Sequence, residues 1–106
     1  MADFFNKAVK NVDSSEVEAF SSTSDSTIIL SILCANTDGA STQDVTVQRK
    51  DASLTDKGYL AFTVPIPADS NFDVLGNKYI LPSGDSLFIS CSSSGTVDAS
   101  FSYVVV

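Results

Sequence analysis

The sequence predicts an all-β protein: a single antiparallel β-sandwich, jelly-roll-like, of seven or eight short strands, with an N-terminal arm or short helix ahead of it. Three observations lead there. β-Branched and aromatic runs are separated at short, even spacing by Gly, Pro, Asn, Asp and Ser, the punctuation of a sandwich or barrel. In the last run Val97, Ala99, Phe101, Tyr103 and Val105 alternate with Asp98, Ser100 and Ser102, the period-two pattern of a sheet with one buried face. Only Val104 breaks it. Hydrophobic residues make up 43% of the chain and charged ones 18%, and Ser, Thr and Asn fill the difference, as suits strands with hydroxyl-rich outer faces.

A chain of 106 residues forms one core, burying about 60–65% of the surface it exposes when unfolded. The reading divides it into residues 1–15, the arm or amphipathic helix, and residues 16–106, the sandwich. In residues 1–12, Phe4, Phe5, Ala8, Val9 and Val12 make one apolar stripe on a helix, with Asp3 as its N-cap. An isolated helix this short is marginal in water, so it must be held. Either it covers an edge of its own domain, or it is an extended arm docked on a neighbour; an arm could be removed without unfolding the rest.

Residues 16–21 read as a charged edge strand, with Val17 and Ala19 on one face and Glu16, Glu18 and Phe20 on the other. Residues 26–36, STIILSILCAN, form the strongest central strand. With Ser31 outward, Ile28, Leu30, Ile32 and Cys34 face the core, and Ile29 and Leu33 need another cover, at a layer or subunit contact. Residues 43–50 place Val45 and Val47 inward. Residues 59–67 place Leu60, Phe62, Val64 and Ile66 on one face, and Pro65 and Pro67 end that strand or confine it to an edge. Strands at 72–75 and 78–81 follow, and residues 77–106 read as a three-strand meander turning at 82–85 and 93–95.

The chain has no His, which excludes triads with a His base and His-ligated metal sites. Its five lysines lie in polar or terminal settings, so no Ser-Lys pair is in view; no catalytic, cofactor or metal site is predicted. Asp38, Asp69, Asp73 and Asp85 lack the spacing of a calcium loop and read as Asx turns. Cys34 and Cys91 take inward parity on central strands. An immunoglobulin-type bridge fits poorly, since position 89 is Ile and there is no Trp, so two buried free thiols are expected.

With 13 acidic and 6 basic residues the net charge is −7, which repels phosphate backbones and argues against nucleic acid. No apolar run is long enough for a membrane helix, and no secretory series opens the chain, so folding in the producing cell's cytoplasm is expected. Ser92, Ser93, Ser94, Thr96, Ser100 and Ser102 form a hydroxyl-rich surface. With Tyr59, Tyr79 and Phe72 it could bind host-surface glycan, although any polar strand face carries these residue types.

The order of segments also carries a resemblance. Asn6-Lys7-Ala8-Val9-Lys10-Asn11-Val12 and Ser14-Ser15-Glu16 are followed by TIILSILCAN (27–36), DVTV (44–47), VPIPADS (64–70), YILPSGDSL (79–87) and VDASFSY (97–103). This series resembles a family of small virion structural proteins of tailed bacteriophages. The resemblance implies a non-enzymatic role on the virion, made in the host bacterial cytoplasm: a capsid decoration (cement) protein on the major capsid protein, or a neck or tail component. It implies no catalytic residues. Phe4, Phe5, Val9 and Val12 of the N-terminal segment, with Ile29 and Leu33 of the two-sided strand, are the expected partner-binding residues. Val104, Val105 and Val106 add a hint of a homo-oligomer, such as a trimer.

Overall fold

Alternating exposure along the β-branched and aromatic runs resolves, in the computed structural model, into nine strands among the described residues: 3–22, 26–53, 55, 57–92 and 95–105. Ser93, Ser94 and Val106, invoked above, lie outside them. The strands are β1 (Asp3–Val12), β2 (Val17–Ser21), β3 (Ser26–Asn36), β4 (Gln43–Lys50), β5 (Lys57–Ile66), β6 (Asn71–Asp73), β7 (Tyr79–Pro82), β8 (Ser86–Cys91) and β9 (Val97–Val105). The first sheet has the order β1-β9-β3-β6, with β7 also paired to β3; the second has the order β2-β8-β4-β5. All pairings are antiparallel.

β6 and β7 share one edge of β3, β7 along its first half and β6 along its second, so together they fill one strand position. Eight positions result. The first pairs with the eighth, the second with the seventh, the third with the sixth and the fourth with the fifth. That nesting is the jelly roll, a long hairpin folded over into two facing sheets.

The topology corrects the expected meander. β7, β8 and β9 do not pair with one another; the chain changes sheet at each turn. Pro82–Asp85 carries it from the first sheet to the second, with the Gly84 N–H donating to the Ser22 carbonyl (2.8 Å) and the Ser22 N–H to the Asp85 carbonyl (2.9 Å). Gly84 has φ 91°, and an added Cβ would sit 3.3 Å from the Ala52 Cβ, so glycine suits this turn on both counts.

The N-terminal segment is a strand and not a helix. β1 pairs with β9 from Asp3↔Val105 to Val12↔Val97, with a shift between Val9 and Val12 where Asn11 adopts φ 55°. The open edge of β9 offers these residues a ladder of backbone hydrogen bonds, which a helix too short to persist alone does not match. Val12, expected on a partner, is buried in the core; its carbonyl accepts from Gly95 N (3.0 Å) and from the Cys91 thiol (3.2 Å).

Bulges explain the remaining departures. β3 pairs Ile29 with Tyr103 and Ser31 with Ser102, leaving Leu30 as an extra residue that inverts the alternation. Thr27 and Ile29 point inward before it, Ile32, Cys34 and Asn36 after it. Ile29 is therefore core and not an outer contact, whereas Leu33 is outward and exposed. In β2 a shift at Ala19 buries both Ala19 and Phe20. In β5, Phe62 and Thr63 together oppose Thr46, which turns Phe62 outward while Ala61 and Ile66 are buried.

Between the sheets lie Phe101, Ile29, Ile32, Ile66, Leu81, Leu87, Ile89, Val45, Val47 and Val97, all fully enclosed. Cys34 and Cys91 are buried thiols, not joined in a disulfide, on the inner faces of opposite sheets. Burial, with lesser contributions from Asp73 and Cys91, pushes the Cys34 thiol from 9.0 up to about 12. Since folding raises this pKa, the stability it contributes is whole below about pH 9 and is lost as pH climbs from 9 toward 12. The native protein should resist a thiol reagent at pH 8 and label at both cysteines in denaturant. Rapid labelling of folded protein would contradict the burial.

Candidate interaction surfaces

The loop carboxylates act as backbone acceptors. Asp38 Oδ1 accepts from Ala40 N (2.9 Å) and Ser41 N (3.2 Å), and these bonds hold its pKa below the usual carboxylate value. Asp73 Oδ1 accepts from Ile32 N and Leu75 N, each at 3.1 Å, and Asp98 Oδ1 from Asn11 N at 2.8 Å. Asp85 accepts from Arg49 Nη1 at 3.1 Å. Among the described residues no cluster of three or more His, Cys, Asp or Glu side chains is placed to hold a metal ion, and no enclosed pocket is present. Nor, among them, is any helix long and apolar enough to cross a membrane.

The hydroxyl-rich face is largely tied into the fold. Asn6 Nδ2 donates to Ser100 Oγ (3.0 Å) and Ser102 Oγ (3.3 Å), and Ser92 Oγ accepts from Asp44 N (3.0 Å) and donates to Gln43 Oε1 (2.8 Å). The three aromatics expected to act with it are dispersed. Tyr79 packs against the core, Phe72 lies on β6 in the first sheet, and Tyr59 lies on β5 in the second.

Of the large exposed apolar side chains among the described residues, Phe5, Val17 and Phe72 have inward parity on the edge strands β1, β2 and β6, and the others form two sets, one on each sheet. On the second sheet, Tyr59 and Phe62, 58% and 60% exposed, meet with ring centroids 4.7 Å apart. Two bulges in β5 make this pair: Leu60 is left unpaired between Gln48↔Tyr59 and Val47↔Ala61, which puts Tyr59 and Phe62 on one face, and Thr63, β-branched yet at φ 47°, is held by its N–H donating to Thr46 Oγ1 (3.0 Å). Nearby on this sheet Lys50, nearly buried, pairs with Glu16 and lies 4.1 Å from the centre of the Phe88 ring.

On the first sheet the pairing register aligns one residue from each of four neighbouring strands. Phe4 pairs with Val104, Val104 with Ile28, and Ile28 with Ile80. The adjacent row, Phe5–Tyr103–Ile29–Tyr79, faces inward: Ile29 is core, and Tyr103 reaches Phe20 of the other sheet at 4.5 Å. Successive rows alternate in face, so Phe4–Val104–Ile28–Ile80 is an apolar stripe on the outside. Val104 is only 6% exposed yet is not part of the core cluster, so its cover comes from its outer-face neighbours.

Of the six residues expected to bind partners, Phe4 and Leu33 lie on this outer face, Phe5 and Val9 share the inward parity at the β1 edge, and Val12 and Ile29 are core. Phe5 stacks on Tyr103 at 5.5 Å. Ile80, Phe62 and the outward setting of Ile28 escape sequence reasoning because bulges in β3 and β5 and a strand interrupted into β6 and β7 decide them. Val104, the one break in the β9 alternation, was the visible trace.

No family model matches this chain, and no curated protein matches it. Solved structures match it in fold. A chain of the T13 infectious bursal disease virus particle superposes on 97% of this one with a TM-score of 0.58 at 8% identity, and one of the virus's VP2 subviral particle on 98% with 0.58 at 9%. This chain spans only 30% and 33% of theirs. A chain of Bacillus endospore appendages, which form a family of disulfide-linked pili, matches 98% of this chain and 83% of its own, with a TM-score of 0.57 at 11% identity. At such identities the likeness extends to the jelly-roll architecture.

Proposed function

We propose that this chain is a non-enzymatic virion structural protein of a tailed bacteriophage, a capsid decoration protein that binds the assembled major capsid protein. The observation that carries the reading is where five of the eight large exposed apolar side chains among the described residues lie: on the outer faces of a sandwich, Phe4, Leu33 and Ile80 on one sheet and Tyr59 and Phe62 on the other. Flat apolar faces suit protein surfaces, whereas a small substrate needs a concave site with convergent polar groups. The family resemblance and the architecture shared with viral-particle chains support it. Repetition on a particle would reinforce weak contacts per copy through effective concentration.

Electron microscopy of purified particles tests the proposal. Density for this chain at hundreds of copies on the shell is the expected result. A few copies at the vertex would make it a neck or tail component, and absence from the particle would end the virion reading. The Tyr59–Phe62 pair favours one second reading, a host-glycan-binding module, because adjacent exposed aromatics stack on sugar faces. Retention on a glycan array, lost on Tyr59→Ala with the fold intact, would establish that alternative.

A further inference from the structure

Resting on the reading of the first sheet's outer face as a partner surface, we propose that its partner is a second copy of this chain, seated sheet to sheet about a two-fold axis. The apolar stripe is the first reason. Phe4 and Ile80, 74% and 65% exposed, flank Val104 and Ile28, and Leu30 and Leu33 extend the apolar surface along β3. An antiparallel sheet with one face in water ordinarily carries polar residues there, so a four-strand apolar row on that face marks a contact.

Charge selects the partner. The chain carries −7, so two copies repel unless they meet where charge is sparse. Among the described acidic residues, only Asp73 and Asp98 fall in the outward rows of the first sheet. Both already accept backbone N–H groups; Asp98 lies at the end of the sheet away from the Phe4–Ile80 row, and Asp73 sits beside Leu33 at the margin of the apolar surface. The second sheet's outer face instead carries Glu18 and Lys50, with its partner Glu16, around Phe88, and Asp44 farther along β4. The end of this face that carries the stripe holds no described charge, with the amide of Asn6 and the hydroxyls of Ser100 and Ser102 beside it, and an uncharged surface can be self-complementary, which is what a two-fold contact requires of one surface.

The area is sufficient. β3, at 11 residues, is about 36 Å long at about 3.3 Å per residue, and four strand positions at about 4.8 Å give about 19 Å of width. The product, about 700 Å², is the whole face, its hydroxyl-bearing rows and the margin at Asp73 and Asp98 included, and it approaches the roughly 800 Å² per partner of a specific interface, which likewise has an apolar centre and a polar rim. Two such faces pack as sheets do inside a sandwich, about 10 Å apart.

Analytical ultracentrifugation of the purified chain, without particles, tests this. Wild type should sediment as a dimer. Phe4→Asp and Ile80→Asp, both at exposed positions, should keep the circular dichroism of the fold and raise the dimer dissociation constant about 30-fold or more, as loss of an interface anchor does. Phe62→Asp on the opposite sheet should leave the dimer intact. A wild-type monomer or trimer would overturn the proposal, and so would a dimer that Phe62→Asp dissociates while Phe4→Asp and Ile80→Asp do not. Because no virion is present, a monomer that still decorates particles would refute the pairing alone, and a dimer absent from particles would refute the virion role alone.

Discussion

Removing residues 1–12 is expected to unfold the protein and not to release a trimmed, stable domain. β1 holds the open side of β9 through a register running from Asp3↔Val105 to Val12↔Val97. Ladder hydrogen bonds contribute roughly 1 kcal/mol each, and complete burial of Val12 about 2 kcal/mol more. Set against a stability of about 5–15 kcal/mol for a domain, that is a large share even after the entropy of ordering the strand is subtracted. The truncation would also leave β9, whose inner face carries Val97, Ala99 and Phe101, as a long unpaired edge, which invites aggregation. Loss of the β circular dichroism signal, with sedimentation as aggregate, is the expected outcome. A truncated chain that melts cooperatively as a soluble species would show that the N-terminal segment is a detachable arm after all.

The fold class was legible because β4 and β9 keep strict alternation: Val45 and Val47 inward, then Val97, Ala99 and Phe101 inward. β1 was not legible. As an edge strand covered on little of its length it has no inward series to read, and the spacing of Phe4, Phe5, Ala8, Val9 and Val12 fits a helical stripe equally well. Turn residues told where the chain reverses but not to which sheet it goes, hence the false meander at 77–106. Single-residue insertions did the rest. Leu30 in β3 and the Phe62–Thr63 bulge in β5 each invert parity, and nothing in the local composition announces them. The outer apolar stripe was half visible, since Val104 and Leu33 stood out against the alternation, but its partners Phe4 and Ile80 come from strands far apart in sequence and meet it only through pairing.

Asn36 is expected to be the most sensitive polar position. At the end of β3 its buried amide Nδ2 donates its two N–H groups to the carbonyls of Ile66 (2.9 Å) and Ser41 (3.0 Å), with that of Pro67 (3.3 Å) sharing one of them, and its Oδ1 accepts from Asp38 N (2.9 Å). One side chain thereby ties the first sheet to the open end of the β4–β5 hairpin of the second, where β4 begins and β5 ends. Asn36→Ala leaves these groups without a partner and should cost about 2–4 kcal/mol in urea unfolding, as buried unsatisfied groups do. Asn36→Asp, nearly the same shape, should cost more at neutral pH, because it aims a carboxylate at three carbonyl oxygens with no donor to offer. The folded protein would then raise that carboxyl's pKa above the unfolded value of about 3.9. The deficit of Asn36→Asp should therefore be smallest in acid and grow as pH rises through that value, opposite in direction to a salt-bridged carboxylate. A variant as stable as wild type at pH 7, or one whose deficit ignores pH, would mean that the amide's donors do not join the two sheets.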